Sequence, residues 1–172
     1  MTTTSKGKDQ VVDSGTELKP FPLHAIQLAD LRVLEVSLRA NLDVRKTEAP
    51  GQFQFEAGHG DYQAERKRIR VKVSAKMGEI DDGISPFSLK IELIGTFVVD
   101  TSRFREEHVL QWAKTNAPLV LYPYLREQVY GLTARAGFNP AVLPLLEIPT
   151  FRLITQADGE VKVVTSREGS ND

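Results

Sequence analysis

The chain has 172 residues, enough for one domain with a substantial hydrophobic core, and its formal net charge at pH 7 is −1. This near balance of charge gives the protein as a whole no strong attraction to nucleic acid or to a membrane surface. The absence of cysteine excludes disulfides, thiol chemistry and a cysteine-ligated zinc site, and it fits a cytoplasmic protein.

Both ends of the chain are polar. Residues 1–20 are rich in Thr, Ser, Lys, Asp and Gly and contain no apolar run long enough for a signal peptide or a membrane span. Residues 165–172 have the same polar character. We therefore expect a disordered N-terminal arm (1–20), one folded domain (21–164) and a disordered tail (165–172), with no direct insertion into a membrane.

Four segments show the alternation of apolar and polar side chains that is typical of β-strands. The first, residues 26–42, also fits a helix in part, but the alternation over residues 34–40 favours a strand. We expect a bulge in it near residues 31–33, where the apolar parity switches. The short connections predict an antiparallel sheet with one buried and one solvated face. The other three strands are expected at residues 53–57, 69–77 and 87–99.

Two helices are expected after the sheet. Residues 100–102 (Asp-Thr-Ser) have the composition of a helix N-cap, and a short, weakly amphipathic helix follows them as far as residues 116–118. The main helix then ends before Gly137, where a left-handed residue terminates a helix without strain. Pro123 should either open this helix or kink it. The apolar stripe of the main helix consists of Leu121, Leu125, Val129, Leu132 and Ala136.

The segment after Gly137 is apolar but interrupted by prolines, so it is a poor helix and an unsuitable central strand. An apolar loop of this kind has to lie on an apolar surface. Four strands followed by two helices predict an α+β fold, a four-stranded antiparallel sheet with the helices packed on one face. The helices, the loop and one strand face carry more apolar surface than one small sheet can cover, which predicts a homo-oligomer.

One group of residues around the main helix forms a specific pattern, made up of Asn116, Pro118, Leu121, Tyr122, Pro123, Tyr124, Arg126, Glu127, Leu132, Arg135, Gly137 and Phe138. This pattern resembles the SecB export-chaperone family, which carries a similar Pro-Tyr-x-Arg-Glu helix, then Arg-Gly-x-Phe, then an extended apolar crossover loop. Upstream of the helix the resemblance is an order of elements that begins with a strand. Downstream of about Phe151 the resemblance ends.

The C-terminal region departs from the family, whose members usually end with a further helix and an acidic tail. Here residues 150–155 are β-branched and aromatic, residues 157–160 have the composition of a turn, and residues 161–164 have that of a returning strand. We therefore expect a C-terminal extended segment or small hairpin in place of the family's last helix.

The resemblance implies a holdase chaperone without enzymatic activity, which binds unfolded polypeptides such as preproteins and keeps them competent for translocation in protein export. It also implies a dimer of dimers in which the helices are sandwiched between two sheets. The subunit contacts are expected to involve Trp112, Leu121, Leu125 and Val129. The groove for the client chain is expected to involve Phe53, Phe55, Phe87, Phe97, Tyr122, Phe138, Leu143, Leu145 and Leu146.

Members of the family also hand clients to the export motor ATPase through acidic residues on the exposed sheet face. Asp30 and Glu35 lie in roughly the corresponding region of the first strand, and Glu92 lies on the same face of the fourth. Lys90 occupies the fourth-strand position at which the family offers an acid. Together with the different C-terminal region, this departure leaves a second role open, that of a dedicated chaperone for the antitoxin of a toxin–antitoxin system.

A basic stripe along the third strand raises a different possibility, a nucleic-acid-binding regulator. The same stripe also fits the solvated face of a strand with acidic neighbours. Sheets that bind nucleic acid usually interleave exposed aromatic side chains, and the aromatic residues here fall on the opposite face, so we expect no nucleic acid partner. The stripe consists of Arg66, Lys67, Arg68, Arg70, Lys72 and Lys76.

The sequence contains no pattern for catalysis, for a metal or for a cofactor. His24, His59 and His108 are dispersed, and none of them has a histidine or a carboxylate three or four residues further on. No glycine-rich phosphate loop and no nucleophile elbow is present. We therefore expect a protein that is not an enzyme and that holds no metal or cofactor.

Overall fold

The computed structural model describes residues 22–45, 47–49, 51–79, 84–147, 151–155 and 161–165. The expected N-terminal arm lies outside the described residues, and so does the expected tail apart from Thr165. The described chain begins with a four-stranded sheet and continues with two helices and a separate pair of short strands.

The four strands of the sheet are β1 (Ile26–Ala40), β2 (Phe53–His59), β3 (Arg68–Met77) and β4 (Phe87–Val99). All neighbouring pairs are antiparallel, as predicted, and the spatial order is β1-β4-β3-β2. In the described sheet, β3 and β4 therefore form the centre, and β1 and β2 form the edges. The fully buried apolar side chains of β3 and β4 lie on one face, which is the face that carries the helices.

β1 keeps its apolar side chains on one face by means of two bulges. Its pairing with β4 shifts register between Leu28 and Asp30 and again between Val33 and Glu35. The strand is confirmed, and the bulge at Val33–Glu35 agrees with the one expected near residues 31–33, whereas the bulge between Leu28 and Asp30 was not expected. Each extra residue reverses the alternation, so the apolar residues before, between and after the bulges all face the helices.

The two helices, α1 (Val109–Thr115) and α2 (Ala117–Arg135), pack on one face of the sheet, which confirms the α+β fold. α2 lies across β3 and β4, and α1 contacts α2 and β2. Asn116 separates the two helices as expected, and Pro118 stands in the first turn of α2, where a missing N–H is harmless. Gly137 follows α2 with φ of 84°, the left-handed conformation expected at this point.

The start of the first helix differs from the prediction. Asp100 caps a tight turn, because its carboxylate accepts hydrogen bonds from the Ser102 amide at 3.0 Å and the Ser102 hydroxyl at 2.6 Å. These bonds hold the pKa of Asp100 below its ordinary value. Arg105 is extended, with φ of −69° and ψ of 133°, so helical structure begins only at Glu106–His108, a single 3-10 turn that leads into α1.

Pro123 lies in the interior of α2, on its exposed side. Of the two outcomes expected for this proline, opening of the helix is wrong, because α2 already begins at Ala117. The ring removes one backbone donor from the helix, and at an exposed position water can satisfy the carbonyl that is left free.

The C-terminal pair consists of β5 (Phe151–Thr155) and β6 (Val161–Thr165), which are antiparallel to each other with Leu153 opposite Val163. This pairing confirms the hairpin expected in place of a final helix. The residues expected to form its turn, 157–160, lie outside the described part of the chain.

The hydrophobic core lies between the helices and the covered face of β3 and β4. Gly95 of β4 marks a close approach of α2, because a Cβ placed on Gly95 would stand 2.6 Å from Cδ2 of Leu121. A glycine inside a central strand is a known sign of such an approach. The sequence contains this sign, and the prediction made no use of it.

Candidate functional site

Two side-chain hydrogen bonds fix the crossover loop, residues 138–147, to α2, and the Phe138 amide also donates to the carbonyl of Thr133 at 3.1 Å. The amide of Ala141 donates to Oγ1 of Thr133 at 2.9 Å, and the hydroxyl of Tyr122 donates to the carbonyl of Pro144. Thr133 is fully buried, and the sequence analysis missed it. Its signal in the sequence is a hydroxyl residue one turn after Val129 on the apolar side of the helix, where a polar side chain needs a buried hydrogen-bond partner.

Aromatic side chains from the sheet and from α2 meet beneath this loop. Phe55 of β2 contacts Tyr122 edge to face with ring centroids 5.4 Å apart, and Phe87 of β4 contacts Phe138 of the loop at 4.8 Å. Burial raises the pKa of Tyr122, and the charge of Arg126 opposes this effect. The Tyr122 hydroxyl therefore stays neutral and remains a donor to the loop across the physiological range of pH.

The nine side chains expected in the groove differ in how far they are exposed. Phe87, Phe97 and Leu143 are fully buried in the core, and Tyr122 is buried with its hydroxyl bonded to the loop. Leu145 is 80% exposed. The expected groove residues that remain accessible to a partner are Phe53, Phe55, Phe138, Leu145 and Leu146.

Arg126 adds a cation to this surface, and the sequence analysis did not assign it to the groove. It follows Tyr122 by one helical turn, so it lies on the side of α2 that holds the crossover loop. Its Nε atom is buried and has no hydrogen-bond partner among the described residues. Buried polar atoms are nearly always hydrogen-bonded, so this orphaned donor is an unsatisfied polar group next to the crossover loop.

β2 brings an edge of the sheet next to the same aromatic residues. Among the described residues, no strand pairs with its outer side. A row of unpaired N–H and C=O groups can accept an extended polypeptide as an additional strand. Apolar side chains, an orphaned donor and a free strand edge therefore lie together at one side of the molecule.

The four residues expected in subunit contacts are buried within the single chain. Trp112 packs against Phe97 at 5.1 Å and stacks with His24 at 6.0 Å, and the other three are fully buried against the sheet. These three are Leu121, Leu125 and Val129. The helices present different apolar side chains to solvent, namely Leu110, Val120, Tyr124 and Tyr130.

β1 carries a second exposed apolar surface. Val33 pairs with Leu93 and Val36 pairs with Ile91, so both valines lie on the face that carries the helices. Because α2 lies across β3 and β4, it leaves Val33 and Val36 52% and 41% exposed. A half-covered apolar face at the edge of a sheet is typical of a surface that a second subunit covers.

The outer face of the sheet is polar, and the three acids expected to dock the export motor are all paired there. Nζ of Lys90 lies 2.5 Å from Glu35 and 3.3 Å from Glu92, and Lys72 lies 3.7 Å from Glu92. The hydrogen bond from Lys90 lowers the pKa of Glu92, and the bonds to Glu35 and Glu92 raise the pKa of Lys90. Asp30 has its own ion pair at 2.8 Å with the arginine two residues further on.

The described residues contain no group of three or more His, Asp or Glu side chains that could hold a metal ion. Within the same part of the chain, no helix combines the length and the apolar character needed to cross a membrane. A cavity of about 890 Å³ opens at one end of the sheet, but Phe53 is the only expected groove residue that lines it. The cavity is therefore distinct from the apolar surface beneath the crossover loop.

Comparisons with known proteins agree with this arrangement. The protein-export protein SecB of Anaplasma phagocytophilum is 26% identical over 102 residues, which cover 57% of this chain and 65% of that protein. The protein-export protein SecB of Saccharophagus degradans is 34% identical over 95 residues, which cover 55% of this chain and 52% of that protein. The chain thus spans less than two thirds of the length of either relative.

A solved structure has the same fold. The SecB-like chaperone Rv1957 of Mycobacterium tuberculosis, in complex with a ChAD peptide from the Rv1956 HigA1 antitoxin, superimposes with a TM-score of 0.58. The superposition covers 73% of this chain and 94% of that chain at 23% identity, and at this identity it establishes the fold alone. The family model described as preprotein translocase subunit SecB matches residues 21–151, most of the chain, and the chain therefore belongs to the SecB family.

Proposed function

We propose that this protein is a holdase chaperone of the cytoplasm, which binds unfolded polypeptides and keeps them competent for translocation in protein export. The observation that carries the proposal is the accessible apolar surface between β2 and the crossover loop, which the chain assembles but does not cover. Membership of the SecB family supports it. The proposed role requires no enzymatic activity, metal or cofactor.

Client binding rests first on apolar burial. Phe55 and Phe138 present partly exposed rings, and Leu145 projects from a loop that is anchored on α2. Burial contributes about 25 cal/mol per Å² of apolar area, so one short segment binds weakly, whereas several segments of one client bind stably together. Folded proteins hide such segments in their cores and escape capture.

The polar half of the site acts on the client backbone. An extended client segment adds to the free edge of β2, and Nε of Arg126 donates to a client carbonyl near the loop. Backbone contacts are the same for every sequence. The site is therefore selective for the non-native state of a client and not for a particular sequence.

A homo-oligomer, specifically a dimer of dimers, is the assembly we propose, with β1 at a contact between subunits. Val33 and Val36 give this strand an apolar face that its own helices leave exposed. Changing both valines to lysine is expected to lower the mass measured by sedimentation, because paired lysines would oppose each other across a symmetric contact. Leu23→Lys, at an exposed position before β1, serves as the control, and an unchanged mass for the double variant contradicts a contact through β1.

A light-scattering assay of a slow-folding client tests the chaperone function. The protein at an equimolar ratio is expected to delay aggregation, and Leu145→Glu is expected to weaken this effect several-fold because it places a charge on the apolar surface. Leu23→Glu, at a position that is 70% exposed and lies before β1, should leave the effect intact. A wild-type protein that fails to delay aggregation contradicts the proposal.

A second candidate role is that of a dedicated chaperone for an antitoxin. The solved complex of the SecB-like chaperone with an antitoxin peptide favours it, and the ion pairs at Asp30, Glu35 and Glu92 leave no free acid among the three expected to dock the motor. Calorimetry with the export motor ATPase separates the two roles, since measurable binding supports general export. Absence of binding, together with a toxin–antitoxin pair beside the gene, supports the dedicated role.

A further inference from the structure

The outer face of the sheet divides into two halves that differ in their electrostatics. In one half, Lys72, Lys76 and Lys90 are each paired with a glutamate on a neighbouring strand. In the other half, Arg68 and Arg70 of β3 are exposed, and neither has an ion pair among the described residues. One face of this sheet therefore carries both neutralised and uncompensated cations.

The uncompensated half, the basic corner, consists of Arg66, Arg68 and Arg70. Arg66 lies in the 3-10 turn before β3, and it is likewise exposed and without an ion pair within the described chain. On the neighbouring central strand, Arg68 lies opposite Val98 and Arg70 lies opposite Thr96. Neither neighbour has a charge, so β4 supplies no acid opposite these two arginines, and the four cations of residues 66–70 outnumber the nearby acids Asp61 and Glu65.

On the side of β2, Arg68 pairs with Gln63, whereas Arg70 and the neighbouring Lys72 lie beside glycines. Gly58 lies opposite Lys72, and the amide of Gly60 donates to the carbonyl of Arg70 at 3.0 Å. A Cβ placed on either glycine would meet nothing within 4 Å. Beside Arg70 there is therefore a short stretch of backbone without side chains, at which another polypeptide can lie close to the sheet.

We propose that the basic corner docks an acidic segment of a partner protein. A guanidinium group binds a carboxylate through two parallel hydrogen bonds, a geometry that lysine does not offer. Arg68 and Arg70 are two residues apart on one strand, so their Cα atoms are about 6–7 Å apart. Alternate residues of an extended peptide have the same spacing, so acids at every second position can pair with both arginines.

The outer face fits a peptide better than a nucleic acid. Phe55 of β2 lies opposite Ala75, and Phe97 of β4 lies opposite Ile69, and both partners are buried beneath the helices. The aromatic rings of these strands therefore point away from the basic corner, and the described part of the outer face has no ring on which a base could stack.

The basic corner and the client surface lie on opposite faces of the sheet. A partner docked at the corner leaves the crossover loop free, so the two sites can be occupied together. The inference is thus independent of the proposed chaperone function, and it survives if the protein fails to hold unfolded clients.

Fluorescence anisotropy with a labelled peptide of alternating glutamate and glycine tests the inference on the full-length protein at about 150 mM salt. Saturable binding is expected, and replacing both Arg68 and Arg70 by glutamine should weaken it at least about tenfold, since each lost contact is a charge-assisted hydrogen bond. Arg39→Gln is the matched control, because Arg39 is an exposed arginine opposite Ser88 at the far end of the same face. Replacing Arg68 and Arg70 by lysine keeps the charge and should weaken binding to an intermediate degree.

Several results would overturn the inference. These are an absence of saturable binding, equal binding of a glutamine–glycine peptide, and an equal loss of binding in the Arg39→Gln control. Tighter binding of a single-stranded oligonucleotide, or of phosphatidylserine vesicles, would assign the corner to a different class of partner. Circular dichroism verifies that each variant is folded, and the lysine variant keeps the test decisive if the glutamine variant is not.

Discussion

Thr133 joins α2 to the crossover loop, because its Oγ1 accepts the amide of Ala141 at 2.9 Å and donates to the carbonyl of Val129 at 2.9 Å. Both Thr133 and Ala141 are buried. A loop whose own prolines prevent regular pairing is thus held by one hydroxyl near its start and by the Tyr122 hydroxyl further along. The position of the apolar surface depends on these two side-chain anchors and on the Asn139 amide, which donates to the carbonyl of Thr47 at 2.9 Å.

Replacing Thr133 by valine tests the first anchor. Valine keeps the shape of the side chain but leaves the buried amide of Ala141 without an acceptor, which destabilises the fold by about 1–3 kcal/mol. Hydrogen exchange at Ala141 should accelerate, and the midpoint of urea unfolding should fall. Thr115→Val is the control, since Thr115 also donates to a helical carbonyl but holds no loop. Equal effects of the two substitutions would show that the loop is not held by Thr133.

The close approach of α2 to the sheet gives a second prediction. In Gly95→Ala, the new methyl group collides with Leu121 and crowds Leu28, so α2 has to move or repack, at about 1–3 kcal/mol. Gly58→Ala on the exposed edge strand meets no atom within 4 Å and should change stability by less than about 0.5 kcal/mol. Thermal unfolding of the two variants measures the difference. A Gly95→Ala protein as stable as the wild type would contradict this account of the packing.

The ion pair between Lys90 and Glu92 makes part of the stability depend on pH. The hydrogen bond from Lys90 lowers the pKa of Glu92 from 4.5, so below that pH the unfolded chain takes up the proton first. The ionised Glu92 carboxylate therefore stabilises the fold above pH 4.5. This contribution is lost as the pH falls through the lower pKa that Glu92 has in the folded protein. In Lys90→Met, the melting temperature should therefore decline less steeply with acidification.

The control for this pH dependence is Lys114→Met, because Lys114 is exposed on α1 and has no ion pair within the described chain. Asp100 also has a lowered pKa, owing first to its hydrogen bond from Ser102, and it contributes an acid transition in every variant. The comparison is therefore between the slopes of melting temperature against pH in Lys90→Met, in Lys114→Met and in the wild type. An unaltered slope in Lys90→Met would contradict the assignment to Glu92.

The sequence predicted which face of each strand is apolar, but it could not predict which strands lie at the edges. Phe55 and Phe97 both occupy apolar positions of alternating segments, yet Phe55 lies on an edge and stays accessible, whereas Phe97 lies on a central strand and is buried. Strand order depends on contacts between distant segments, which periodicity does not record. Trp112, which is expected at a subunit contact, also packs on Phe97 within the chain, a contact that periodicity does not predict.

Local sequence motifs predicted the backbone conformation more accurately than periodicity did at positions where neighbouring residues alone decide it. Gly137 was predicted from its place after the helix, because a left-handed residue needs no long-range information, and it has the expected positive φ. The bulge of β1 between Leu28 and Asp30 was not predicted, because its position depends on the register with β4. The sequence also could not separate the basic corner from the neutralised half of the outer face, since the glutamates that neutralise Lys72 and Lys76 come from other strands.

Arg126 provides a prediction in which stability and function respond in opposite directions. In the free protein, its buried Nε has no acceptor among the described residues, which is unfavourable, so Arg126→Met should leave the free energy of unfolding unchanged or raise it by about 1 kcal/mol. If the same atom donates to a client carbonyl, then the substitution removes that bond and weakens client binding several-fold. Titration of the protein with an unfolded client measures the affinity, and urea unfolding measures the stability.

The control is Arg135→Met, at an exposed arginine near the end of the same helix, which should change neither quantity. Loss of stability without loss of affinity would show that Arg126 supports the fold and does not contact the client.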